Sequence, residues 1–239
     1  MTRAPALVAA SHGTSSAEGQ RAVAALVDAV RRSARDVMVA DAFVDVRQPD
    51  VASVLGSLDG PQDAVIVPLL LSAGYHVHVD LAREAAAASG GAVLGAALGP
   101  DDRLVDVLCE RLREAGLRSD DRVVLAAAGS SDPRAVEDCR DIGGRLARRL
   151  GTPVAVGFLS AARPALADAI ARTRATHPVS RVVAASYLLA PGHFHDLAAA
   201  AGATITTAPL LRPDAPPPAG LVELVLDRYA AALALSRAA

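Results

Sequence analysis

Apolar and polar positions along this chain follow two different periods. Short runs rich in Val, Leu and Ala recur at Ala6–Ala10, Val37–Val46, Ala64–Leu71, Val123–Ala128, Val154–Leu159 and Val182–Leu189. Near-continuous apolar runs of this length are the mark of strands buried on both faces. Between them lie longer stretches with the 3.6-residue period of amphipathic helices: Glu18–Arg32, Val51–Leu58, Asp101–Ala115, Ala135–Leu150, Ala165–Thr176 and Leu221–Leu235. Strand, helix and strand in succession predict βαβ units, and hence a parallel sheet with helices on both faces. The predicted fold class is α/β, of the flavodoxin- or Rossmann-like kind.

The pattern also repeats. Leu7–Gly13 can be laid on Val124–Ser130, a shift of 117, and Ala42–Pro49 on Gly157–Pro164, a shift of 115. Leu70–His76 lies on Leu188–Phe194 at a shift of 118, and Leu98–Asp101 on Leu211–Asp214 at a shift of 113. Four blocks in one order with nearly constant shifts predict two tandem copies of one domain, related by a pseudo-two-fold. The polar connection Leu117–Asp121 divides them into residues 1–117 and 118–239. A cleft between the carboxyl ends of the two sets of strands is expected, the whole acting as a covalent pseudo-dimer and so as a monomer.

Composition narrows the function. The 239 residues carry 24 basic and 26 acidic groups, a net charge of −2, which removes the electrostatic case for a nucleic-acid binder. At 52% hydrophobic and 21% charged residues the chain can bury a core and is not disordered. The longest charge-free runs, Ala64–Val79 and Ala85–Pro100, are 16 residues each, short of the ~20 that a spanning helix needs. The opening apolar run Pro5–Ala10 is too short for a signal-peptide core, so a cytoplasmic protein is expected. Cys109 and Cys139, the two cysteines, are then expected to be reduced thiols packed on helix faces.

Parallel α/β sheets bind ligands beyond the carboxyl ends of their strands. In the first half those ends carry Ser11-His12-Gly13-Thr14, Asp45 and Gly74-Tyr75-His76. In the second, the repeat places Gly129, Ser160 and Phe194 where His12, Asp45 and His76 stand. Two imidazoles and a carboxylate present in one copy and absent from the other suit a divalent first-row metal site. Such spacing is not a local chelate; only the fold could assemble it.

Those same residues carry a resemblance. Ala10-Ser11-His12-Gly13-Thr14, Ala42-Phe43-Val44-Asp45, the run Pro68–Val77 with Asp80, and Leu98–Leu104 resemble the class II chelatases that act on sirohydrochlorin. The likeness covers nearly the whole chain, because the long form of that family is itself a two-domain duplication. The resemblance implies insertion of Fe²⁺ or Co²⁺ into sirohydrochlorin, on the way to sirohaem or cobalamin, with no cofactor besides the metal substrate; Ni²⁺ or Zn²⁺ would be accepted in vitro. It implies that His12 and His76 handle the metal. Many relatives carry Glu where this chain has Asp45, which is one methylene shorter and keeps the charge. With the two histidines, Asp45 completes the expected catalytic set. The tetrapyrrole partner carries eight carboxylates. Expected contacts to it are Ser11, Gly13, Thr14, Arg47, Gly74, Tyr75, Ser130, Ser131, His193 and His195, with backbone N–H groups at Gly13-Thr14 and Ser130-Ser131 opening helices.

Other readings compete. A carrier could hold a tetrapyrrole or metal without turnover, though mere binding needs no ionisable triad. A hydrolase or phosphate-binding reading of Gly13–Ser16 lacks both Gly-x-Ser-x-Gly and the phosphate-loop lysine, for the chain has no Lys at all. His177, ahead of Pro178, reads as a surface residue. Arg212–Pro218, rich in proline, reads as a stiff loop into the last helix.

Overall fold

The computed structural model describes residues 4–58, 64–72, 74–88 and 90–238. Strands β1 (Ala6–Ser11), β2 (Val39–Phe43), β3 (Ala64–Pro68) and β4 (Ala92–Leu94) form one parallel sheet in the order β2-β1-β3-β4. Strands β5 (Arg122–Ala127), β6 (Val154–Phe158), β7 (Val182–Tyr187) and β8 (Ile205–Thr206) form a second in the corresponding order, β6-β5-β7-β8. Two like parallel sheets are what the repeat predicts. The sequence pattern missed the edge strands β4 and β8. With three and two residues, they are too short to show a period.

The helices are α1 (Ala17–Ser33), α2 (Val51–Ser57), α3 (Tyr75–Ala87), α4 (Asp102–Glu114), α5 (Pro133–Leu150), α6 (Leu166–Thr176), α7 (His193–Ala200) and α8 (Ala219–Ala238). Successive residues of a strand face opposite ways, so each sheet must be covered twice. Val8, Ala10 and Ile66 pack against Val51 and Val54 of α2 and Leu81 and Ala85 of α3. Leu7, Ala9, Val65 and Val67, buried on the opposite face, are left to α1 and α8. In the second unit Val124, Ala126, Val182 and Ala184 pack against Leu166, Ala169 and Ile170 of α6 and Ala198 of α7. Helices α4 and α5 lie against β7 and β6. Among the described residues no helix is long and apolar enough to cross a membrane.

The covering helices do not follow the repeat. Helix α4 succeeds β4 in the chain yet packs on β7 and α5, while α8 succeeds β8 yet packs on β3, β4 and α1. The compact units are therefore the residues up to Leu98 together with those from Pro216 onward, and Gly99–Ala215. This corrects the division at 117/118, which follows the sequence duplication but not the packing. Two arginines show why. Arg111 on α4, buried, donates from Nε to Pro209 O and from Nη2 to Leu210 O, each at 3.2 Å. Arg228 on α8 donates in the same way to Ala97 O and Leu98 O, each at 2.8 Å. Each exchanged helix thus clasps the segment through which the other helix leaves its sheet. The proline-rich stretch before α8 carries the second crossing.

The connection near 117–121 is tied to the second unit. Asp121, its side chain 1% exposed, accepts from Arg118 N at 2.8 Å and from Arg181 Nε and Nη2 at 2.8 and 2.6 Å. The Arg181 guanidinium holds the Asp121 carboxyl below the usual carboxylate range. Cys109 and Cys139 are free thiols on α4 and α5, and burial pushes the Cys109 thiol up. His177 caps the end of α6, half-buried and not fully on the surface.

Two outcomes follow for stability. Arg111→Met leaves two buried carbonyls without their donor and Glu114 with Arg212 alone, and should cost about 2–3 kcal/mol in urea denaturation; Arg228→Met should cost somewhat less. Because the folded-state pKa of Asp121 is lowered, its stabilising contribution is complete above the ordinary value of about 3.9 and is lost as pH falls through the folded value. Asp121→Asn should lower the melting temperature at pH 7 and shrink the difference between pH 7 and pH 3.

Candidate active site

The carboxyl ends of β1 and β2 are joined by backbone hydrogen bonds that outlast the strands. Val44 N donates to Ser11 O at 2.8 Å and Asp45 N to His12 O at 3.1 Å. The exits of neighbouring strands therefore stay paired through these residues, and the side chains of His12 and Asp45 are both exposed. Asp45 Oδ1 accepts from Val46 N at 2.7 Å, which turns the carboxylate back over its own loop. Val46 adopts φ 65°, a left-handed conformation that is costly for a β-branched residue. Gly13, at φ 91°, makes room for this loop: a Cβ there would run into Asp45 O. The two exit loops approach this closely because the residue after His12 has no side chain.

The second unit repeats this frame with other side chains. Leu159 N donates to Ala127 O and Ser160 N to Ala128 O, at 3.0 and 2.9 Å. Gly129 has φ 91°, a Cβ on it would run into Ser160 O, and Ala161 takes φ 54°. These bonds align Gly129 with Gly13 and Ala128 with His12, so the shift of 117 is corrected to 116. The last block moves likewise. Leu98 N donates to Leu70 O and Leu210 N to Leu188 O, so Leu210, not Leu211, matches Leu98. The substantive contrast stands: Ala128 and Ser160 occupy the places of His12 and Asp45.

His76 and Phe194 lie in the first turns of α3 and α7, one residue into helices that start after Gly74 and Gly192. Neither helix is among those that the sequence pattern predicts. The side chains of Tyr75, His76 and His78 lie outside the described residues, as does all of Ala73. Among the described residues no three His, Cys, Asp or Glu side chains gather as a metal site.

The proposed substrate contacts divide by what already holds them. Ser11 is buried. Thr14 Oγ1 accepts from Ser16 N at 3.1 Å, and Thr14 O accepts from Gln20 Nε2 at 2.9 Å. Gln20 therefore fastens the loop after β1, a role that nothing in the sequence signalled. Ser130 Oγ accepts from Asp132 N at 3.0 Å; Ser131 is exposed. Helices α1 and α5 open at Ala17 and Pro133, later than expected, capped by Ser16 and Asp132. At α5 the Asp132 carboxylate already accepts from Arg134 N, so that helix start brings its own anion. Arg47 is half-buried with its guanidinium 4.7 Å from the Phe43 ring centre, an arrangement that fixes it beside Asp45. His195 Nε2 lies 3.1 Å from Thr207 O, tying α7 to the sheet, whereas His193 is exposed.

A separate depression of about 370 Å³ is lined by α2, the end of α3 and Gly90-Gly91. It lies near the entries of β3 and β4, away from the strand exits. Glu84 there has a buried Oε2 without a partner among the described residues, and burial, then Asp50 and Asp80, push its carboxyl up.

Exchanging Gly13 for Ala tests the frame. Left-handed alanine costs about 1–2 kcal/mol before the collision with Asp45 O is counted, so Gly13→Ala should lose about 2 kcal/mol or more in denaturant unfolding. Gly129→Ala should lose a similar amount, although its unit carries neither histidine nor carboxylate at this edge.

Known proteins share this arrangement. A sequence model of the CbiX family matches residues 6–115 and 122–208. A sirohydrochlorin ferrochelatase of Priestia megaterium is 28% identical over 193 residues, 76% of this chain and 71% of its own length. SirB from Bacillus subtilis, solved with Fe³⁺, superposes with a TM-score of 0.79 at 18% identity, covering 98% of both chains. The sirohydrochlorin chelatase SirB of Bacillus subtilis subspecies spizizenii, solved with cobalt, gives 0.72 at 18% identity over 94% of this chain and 93% of its own. Matched across both halves, the chain belongs to the CbiX family.

Proposed function

We propose that this protein is a sirohydrochlorin chelatase, inserting Fe²⁺ or Co²⁺ into the macrocycle with release of two protons. The observation that carries the reading is the asymmetry of a duplicated frame. The same backbone bonds hold both strand exits, yet only the first carries an imidazole and a carboxylate. Family membership and the ferrochelatase relative support it.

The chemistry asks little else. Two pyrrole N–H protons must leave as the metal sheds water and binds four ring nitrogens. A neutral imidazole accepts a proton near neutral pH and is also a good ligand for borderline divalent ions. In this reading His12 and His76 take the protons and guide the incoming metal. Asp45, held by Val46 N, orients the ring or relays charge. Arg47, Gly13, Thr14, Gly74, Tyr75, Ser130, Ser131, His193 and His195 contact the macrocycle or its carboxylates, with Ser11 positioning the loop beneath them. The protein works as a cytoplasmic monomer, with no cofactor besides the metal substrate.

The test is insertion of Co²⁺ or Fe²⁺ into sirohydrochlorin, followed by absorbance with the uncatalysed rate subtracted. His12→Ala and His76→Ala should each cut turnover by ~10²–10⁴-fold, the usual contribution of a proton acceptor. Asp45→Ala should cost ~10–100-fold, as an orienting group does. Wild-type rates in the double histidine variant would overturn the mechanism in favour of a tetrapyrrole carrier.

A further inference from the structure

The loop after β1 is fastened to α1 by a side chain that its counterpart in the second unit lacks. Backbone bonds fix the correspondence: Gln20 N donates to Ser16 O at 2.9 Å, and Val136 N to Asp132 O at 3.2 Å. Gly13 and Gly129 both take φ 91°. Thr14 Oγ1 and Ser130 Oγ accept from Ser16 N and Asp132 N, at 3.1 and 3.0 Å. The two loops therefore trace one path, position by position. In the first a further bond crosses the loop, from Gln20 Nε2 to Thr14 O at 2.9 Å. Val136, at the matching place, has no polar atom in its side chain. The second loop is capped instead by the buried Asp132 carboxylate, which accepts from Arg134 N at 2.9 Å and pairs with the Arg134 guanidinium.

The second loop shows that this path folds without a crossing amide, so what the amide adds belongs to the first loop alone. Gly13 lets the loop after β2 approach, and that same residue puts a freely rotating joint directly after His12. Thr14 is the first residue beyond the joint, and its carbonyl is the atom that Gln20 holds. In the second unit the joint at Gly129 follows Ala128, a methyl group with no chemistry to aim. The brace is thus present where an imidazole precedes the joint and absent where none does.

We propose that Gln20 is a positioning residue for metal insertion: by holding Thr14 O it immobilises the joint at Gly13 and so fixes where the His12 imidazole stands when it takes a proton. The inference rests on the chelatase reading for its reaction, and adds to it a residue of the helix behind the loop. Gln20 acts through the peptide that carries His12, not on the reacting atoms. The competing role is support of a weak helix cap, since Ser16 Oγ accepts from Gly19 N at 3.3 Å. Cap support would show in stability and leave turnover alone. Positioning shows in turnover even where stability is kept.

The experiment compares Gln20→Met and Gln20→Glu with the wild type in steady-state insertion of Co²⁺ into sirohydrochlorin, in thermal unfolding and in amide hydrogen exchange. Both replacements match glutamine in length, and neither methionine nor an ionised glutamate can donate to Thr14 O. A carboxylate near the start of a helix favours the helix dipole, so Gln20→Glu should melt no lower than about 2 °C below the wild type. In both variants kcat should nonetheless fall about three- to tenfold, the scale of one hydrogen bond. In Gln20→Met, KM for either substrate should stay within about twofold, because an uncharged brace behind the loop contributes to orientation and not to uniform binding. The Ser16 amide, bonded to Thr14 Oγ1, should exchange about three- to tenfold faster, while the amides of β1 keep their protection. Val136→Ala, at the matching place in the second unit, should leave kcat within about twofold. Wild-type kcat in both Gln20 variants overturns the inference, whatever their melting temperatures, and leaves the chelatase reading intact. So does a kcat that falls only in a variant whose melting temperature falls with it, which is the signature of cap support. A wild type that inserts no metal overturns the chelatase reading, and the positioning role with it.

Discussion

Everything at the strand exits depends on two helices that cover sheets they do not follow in sequence. An α/β sheet without its second layer would leave one whole face of Val, Leu and Ala in water, at roughly 25 cal/mol for every Å² exposed. Here one helix of that layer in each unit, α8 beside α1 and α4 beside α5, comes from the other half of the sequence. The Arg111 and Arg228 forks secure it by donating to backbone carbonyls that no strand partner uses. The planar guanidinium suits the task, since one side chain reaches two successive carbonyls in a fixed geometry.

On this foundation the loops after β1 and β5 are rigid for a local reason. A glycine at φ 91° lets the next loop's carbonyl approach, and the paired backbone bonds then leave the neighbouring side chains no freedom of placement. A scaffold that tolerates His or Ala and Asp or Ser at the same two positions without moving its backbone can specialise one copy while the other keeps the fold. The chemistry resides in the decoration, as is general for α/β folds.

Much of this could be read from the sequence, and the misreadings have identifiable causes. Six strands and six helices were legible because β1, β3, β5 and β7 are almost wholly apolar and α1, α4 and α5 are strongly amphipathic. Helices α3 and α7 were not, because both begin directly after a glycine and run through alanines, which carry no face. His12 and Asp45 were legible as residues at strand ends. The close approach of the two exit loops was not, since it depends on Gly13 and on the left-handed Val46. Sequence alignment placed Gly129 opposite His12, whereas the backbone bonds place it opposite Gly13. Identity of residue type misled there, and identity of conformation decides. The exchange of α4 and α8 left no sequence trace at all. Both helices have ordinary amphipathic or apolar composition, and only long-range contacts reveal which sheet they serve.

The interleaving also sets an order of assembly during synthesis. The second unit is continuous in the chain from Gly99 to Ala215 and has all its layers once that stretch is made. The first unit has its four strands by Leu98 but lacks α8, so one face of its sheet has only α1 over it while roughly 120 further residues are added. At about 5–20 residues per second that exposure lasts on the order of 6–24 s, far longer than hydrophobic collapse takes. The half that is translated first is therefore the half that finishes folding last. It holds His12 and Asp45 on an incomplete scaffold until α8 docks.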